Sequence, residues 1–112
     1  MLKKSRRVPA KLISGLIKSG RRFFHPTASL FFIENNLDFS RFAVIVPVKL
    51  SKKSSKRNPL RRKTYEIIRK NYSDFKPGFD CILIFRPGSL EFSSKQIQET
   101  ILSLFVKTGI KL

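Results

Sequence analysis

The 112-residue sequence has one cysteine, one histidine and seven acidic residues. A single thiol excludes a disulfide framework and any cysteine-based zinc site. Cys81 lies in the run Cys81-Ile82-Leu83-Ile84-Phe85, the setting of a small buried apolar residue in a reducing compartment. The lone histidine, His25, precedes Pro26 and reads as a turn residue instead of a catalyst. The acids Glu34, Asp38, Asp74, Asp80, Glu91 and Glu99 are scattered, with no evident pair for acid–base work. That argues against a self-contained metal-dependent nuclease, which needs clustered carboxylates. Asp74 and Asp80 read as turn residues. There is no glycine-rich phosphate loop. No apolar run approaches the roughly 20 residues of a transmembrane helix, and no apolar stretch follows the basic N-terminus as it does in a signal peptide. That terminus could be read as an organelle presequence, but it also reads well as the start of a domain helix.

What is present is positive charge. Lys and Arg number 24, giving a formal net charge of +17. Self-repulsion on this scale destabilises a compact chain and calls for a partner dense in negative charge. Nucleic acid is the first candidate and anionic membrane the second. The membrane is disfavoured, because the basic residues concentrate at a helix start and not along one long amphipathic helix. Apolar residues make up 41% of the chain, with 11 Phe, so this is a folded domain and not a disordered basic tail. The length suits one domain with one modest core.

The pattern divides the chain into a basic arm over residues 1–8, expected to be mobile, and a single domain over residues 9–112. Pro9 suits a helix start, and Leu12, Ile13, Leu16 and Ile17 recur at helical spacing up to Gly20. Residues 21–26 read as a basic turn. Ser29 to Ile33 predicts a strand, residues 34–38 a turn, and Arg41 to Val48 a second strand covered on both faces. Leu60, Thr64, Ile67 and Ile68 share one face of a helix running to about Tyr72. Pro77-Gly78 turns the chain into a strand from Asp80 to Phe85. Ser93 or Ser94 caps a last helix with the stripe Ile97, Ile101, Leu104 and Phe105. The fold class is α+β, with helices packed on a small mixed sheet of about four strands. The pairs Phe23-Phe24 and Phe31-Phe32 read mainly as core, but in a strand one member of each must face away.

The segment from Lys49 to Lys63 is the most charged. Arg57 and Arg61 lie one helical turn apart, as do Asn58 and Arg62, pointing away from the apolar face. Arginine forks onto phosphate oxygens and stacks on unpaired bases. Asn58 can both donate and accept at a base edge or a 2′-hydroxyl. Lys49, Lys52, Lys53 and Lys56 precede these in a Ser-rich stretch suited to following a backbone. Glu66 is the only acid between Lys49 and Lys70.

Arg57-Asn58-Pro59-Leu60-Arg61-Arg62, with Glu66 following, resembles the signature of the bacterial ribonuclease P protein component. That signature is Arg-Asn-Arg-x-Lys-Arg with an acid shortly after. The strand from Arg41 resembles the family's Arg-Val-Gly-Ile strand. Asp80 to Gly88 resembles its Asp-Ile-Val-Val-Ile-Ala-Arg-Pro-Gly segment, and Gly20 matches a glycine after its first helix. Pro9 to Phe105 can be laid along the family in order. The resemblance implies the order αβββαβα with a left-handed crossover around the basic helix, where handedness rules alone predict a right-handed one. It implies a subunit of an endoribonuclease that removes the 5′ leader of precursor tRNA, with catalysis and Mg²⁺ carried by the RNA partner. It implies a monomeric protein in a 1:1 complex with ribonuclease P RNA, in the bacterial cytoplasm. Arg57, Asn58, Arg61 and Arg62 would contact that RNA. The leader would run through a cleft at Ile13, Ile17 and Phe31, where only Phe31 keeps an aromatic ring. No residue of the chain is expected to be catalytic or to ligate metal. A structural, ribosomal-type RNA-binding protein is the alternative.

Four departures from the family pattern stand out. Pro59 replaces an Arg of the signature. Either the helix starts late, with Asn58 as cap and Pro59 in its first position, or it starts near Ser54 or Ser55 and absorbs the proline. Tyr65 stands where the family often has Arg. Ile13 and Ile17 replace Phe, which weakens stacking on the leader. Ala43 replaces the strand glycine.

Overall fold

The computed structural model of the chain describes residues 2–112. Helix α1 (Ala10–Ser19) is followed by strands β1 (Arg21–Phe23), β2 (Ala28–Glu34) and β3 (Arg41–Ile45). Helix α2 (Ser54–Lys70), strand β4 (Phe79–Phe85) and helix α3 (Ser94–Lys107) complete the fold. The sheet order is β1-β2-β4-β3, antiparallel except for the parallel pair β3 and β4 that α2 connects. This is the expected α+β arrangement. Two expectations change. Residues 21–23 form a short edge strand and not a turn, and the Arg41 strand ends at Ile45.

Alternation along the strands sorts side chains onto two faces. Leu30, Phe32, Phe42, Val44, Cys81, Leu83 and Phe85 join the apolar stripes of α2 and α3 in the main core. All eight stripe residues expected on α2 and α3 are buried. Ser93 caps α3 in a capping box with Gln96. The opposite face carries Ala43, Ile45, Ile82, Ile84 and Phe31, and α1 is the one helix that packs there among the described residues, through Leu16, Ile13 and Ile17. One short helix cannot cover a four-stranded sheet, so part of this face stays open.

The N-terminal arm is not the mobile segment its composition predicts. Leu2 is in the main core, while Val8 packs on the α1 face. Between them the arm rounds the outer edge of β3: Val8 N donates to the Phe42 carbonyl at 3.0 Å. Arg6 stacks over Phe39, 4.1 Å from the ring centroid. Further along the same edge, Val44 N donates to the Tyr65 hydroxyl at 3.0 Å. Tyr65 is therefore core, turned toward β3.

Asp80 is a further correction. It is buried in β4, where Arg41 donates to it through Nε at 2.8 Å and Nη2 at 2.6 Å. Asn35 Nδ2 adds a third bond at 2.8 Å. The carboxylate raises the Arg41 pKa above the ordinary guanidinium value, mainly through that hydrogen bond. Asp80 thus anchors the register of β3 against β4 and is not a turn residue.

Candidate nucleic-acid interface

Helix α2 starts at Ser54, which settles the choice left open by the sequence: Pro59 lies inside the helix. Leu60, Thr64, Ile67 and Ile68 hold the helix to the core. Lys52, Lys53, Lys56, Arg62 and Lys63 are exposed on the other side, and Arg57, Asn58 and Arg61 are half-buried. The first turn has no acid and no side-chain cap. Cations therefore crowd the positive end of the helix dipole, the reverse of the stabilising placement. An anion docked there would relieve both the dipole and the charge crowding.

Local hydrogen bonds hold these side chains in fixed poses. Arg57 Nε donates to the Ser51 carbonyl at 2.9 Å, tying the helix to the loop that carries Lys52 and Lys53. Arg61 Nη1 donates to Asn58 Oδ1 at 2.7 Å. The amide oxygen of Asn58 is thus engaged, which leaves its Nδ2 as the group to offer a ligand. Glu66 is bound by Arg69 in a bidentate pair, and this pulls its pKa down to about 2. The acid nearest the basic surface therefore stays ionised and turned to its own helix neighbour.

The second surface is the open part of the sheet face. Ile13, Ile17 and Phe31 do come together there, each half-buried, in the cluster under α1. Phe31 opens into a groove of about 340 Å³ whose lining includes Arg22, Ser29, Lys49, Ile84 and Arg86. Ile13 lines a separate groove near the N-terminus of α1 with Arg7 and Tyr65. Sequence reasoning missed Arg22 and Arg86. The pairing of Arg22 with Phe31 sets the former on the aromatic face, and only the register of the β1–β2 pair reveals it. Lys49 lies in the short turn Val48–Leu50 and links the groove to the loop before α2. Lys49 is thus the cation common to the aromatic cleft and the segment that leads into the basic helix.

A ribonuclease P family model matches residues 2–109. The chain belongs to the ribonuclease P protein family. The ribonuclease P protein component of Clostridioides difficile is 31% identical over 96 residues, which cover 85% of this chain and 83% of that one. The component from Synechocystis is 32% identical over 77 residues, covering 69% of this chain and 62% of that one. The solved structure of the Thermotoga maritima ribonuclease P protein superposes with a TM-score of 0.80 at 27% identity, covering 88% of this chain and 93% of the other. Membership makes the chain a subunit type of the tRNA-processing endoribonuclease and sets aside the ribosomal-type alternative.

Proposed function

We propose that the chain binds ribonuclease P RNA through α2 and its preceding loop, and the 5′ leader of precursor tRNA through the sheet-face groove. The observation that carries this is the place of Lys49, which lines the groove and lies just before the loop into α2. Arg57, Asn58, Arg61 and Arg62, with Lys52, Lys53 and Lys56, grip folded RNA. The groove at Phe31 takes single-stranded leader: the ring stacks a base, and Arg22, Lys49 and Arg86 hold phosphates on either side. No side chain acts as acid, base or nucleophile; the protein fixes where the scissile bond lies relative to the RNA. Residues 9–112 act as one RNA-binding domain, with residues 2–8 as part of its edge.

Mg²⁺ belongs, in this reading, to the RNA partner. Among the described residues, no three His, Cys, Asp or Glu side chains gather in one place, so the donor set does not fit a resident metal site and no step is routed through one. Among those residues, too, no helix is long and apolar enough to cross a membrane. A monomeric protein in a 1:1 complex with RNA in the bacterial cytoplasm accords with the family.

Reconstitution tests the proposal. The chain, a ribonuclease P RNA and a 5′-extended precursor tRNA are combined at low Mg²⁺. Cleavage and substrate affinity should rise on adding the protein, and no gain in either refutes the reading. The R61A/R62A double variant should flatten the dependence of log affinity for the RNA on log salt by about 1–2 units; an unchanged slope would place the RNA elsewhere.

A further inference from the structure

Phe24 is the most exposed ring in the chain, at 53% of its full accessibility, and nothing in the core needs it there. It lies just beyond β1 with two guanidiniums close to its ring. Arg86 stands 4.3 Å from its ring centroid and Arg22 5.4 Å. Arg22 also lies 5.7 Å from the ring of Phe31. The result is an alternating set, Phe31–Arg22–Phe24–Arg86, in which Phe24 stands outside the groove beside two of its lining arginines. Among the described residues neither arginine has a carboxylate partner, so both charges remain available to phosphate. An exposed phenylalanine costs solvation, and two neighbouring cations deepen the repulsion; both are relieved by one ligand, an unpaired nucleotide with its phosphates.

We propose that Phe24, with Arg22 and Arg86 beside it, is a second stacking platform for single-stranded RNA, adjacent to the Phe31 site. It supplies a ring that α1, with Ile13 and Ile17, does not. The occupant is a further nucleotide of the precursor leader, so the inference rests on the leader reading above. Charge decides between RNA and an apolar partner: two guanidiniums lie within 5.4 Å of the ring centroid, where a protein-docking patch would have an apolar surround.

The test measures affinity of the reconstituted holoenzyme for precursor tRNA and for the same tRNA without a leader, using F24A, F24L, F24Y and F31A. A 2-aminopurine placed at successive leader positions reports stacking independently of cleavage. F24A and F24L should each weaken leader-bearing tRNA roughly 5- to 100-fold, as loss of one stacked base does. They should leave leaderless tRNA unchanged, and F24Y should bind as the native chain does. Quenching should be lost at a position different from the one F31A affects. Because Phe24 is exposed, the melting temperatures of these variants should match the native chain. If F24A or F24L binds like the native protein while F31A does not, the platform is refuted and the leader groove stands. An equal loss on leaderless tRNA also refutes it. If the native chain gains nothing from a leader, the groove reading falls and this inference with it.

Discussion

Replacing Pro59 by Ala separates the two possible starts of the basic helix, because they predict opposite signs. Pro59 lies five residues after Ser54, inside α2. Its ring crowds the Ser55 carbonyl, and it has no N–H to offer that carbonyl, a defect worth about 3 kcal/mol against Ala in a helix interior. Two effects reduce the gain on replacement. Proline also restricts the unfolded chain, by up to about 1 kcal/mol. Ser55 and Pro59 are both exposed, so water already serves the carbonyl and recovers about 1 kcal/mol more. The net expectation for P59A is a stabilisation of about 1 kcal/mol, or a rise of about 4 °C in melting temperature for a domain of this size. P59G should gain little, since Gly costs about 1 kcal/mol more than Ala in a helix. Urea titration and thermal melts followed by circular dichroism read both. Were the helix to begin at Pro59, the proline would occupy its most favoured position and P59A would be neutral or destabilising. A melting temperature equal to or below that of the native protein therefore refutes a start at Ser54.

Three further outcomes are expected. D80A should lose about 3 kcal/mol by stranding Arg41 and Asn35, whereas R41M/D80L should lose clearly less than the two single changes added together; additive losses in urea melts would show that the pair is not coupled. G20A should destabilise by about 2 kcal/mol, because its Cβ would meet the Leu16 carbonyl oxygen at 2.6 Å and that of Phe32 at 3.1 Å; G15A, with nothing within 4 Å, should instead stabilise slightly, and equal melting temperatures would sink the argument. Cys81 is buried, and desolvation pushes its thiol pKa well up, so it should resist a thiol reagent at pH 8 until urea unfolds the chain; prompt native-state labelling would contradict its burial.

The helices were legible because their signals are local. The stripe on α3 and its Ser93 cap, and the stripe from Leu60 to Ile68, depend only on spacing along one element. The basic surface was legible for the same reason, since Arg57 to Arg62 are neighbours in sequence. What stayed hidden depends on how separate elements pair and pack. Asp80 looks like a turn acid until β4 is set beside β3, where Arg41 reaches it. Arg22 looks like part of a basic turn until pairing with β2 aligns it with Phe31. Tyr65 looks like a lost RNA contact until α2 is rotated onto the core. Leu2 and Val8 are single apolar residues in a charged arm, too few to form a periodic pattern.

The arm that rounds β3 has a consequence for self-association. A sheet edge with open N–H and C=O groups is a template for another chain's strand. At one side of this sheet the Val8 bond to Phe42 and the Tyr65 hydroxyl on Val44 N occupy that edge. At the other, β1 is only three residues long and begins with Arg21 and Arg22, a short, charged margin of the kind that discourages strand addition. A truncation that removes residues 2–8 would strip four cations and unseal an edge in the same stroke. Any loss of RNA affinity it produced would be mixed with aggregation, so point changes at Lys3, Lys4 and Arg7 are the cleaner way to measure what the arm's charge does.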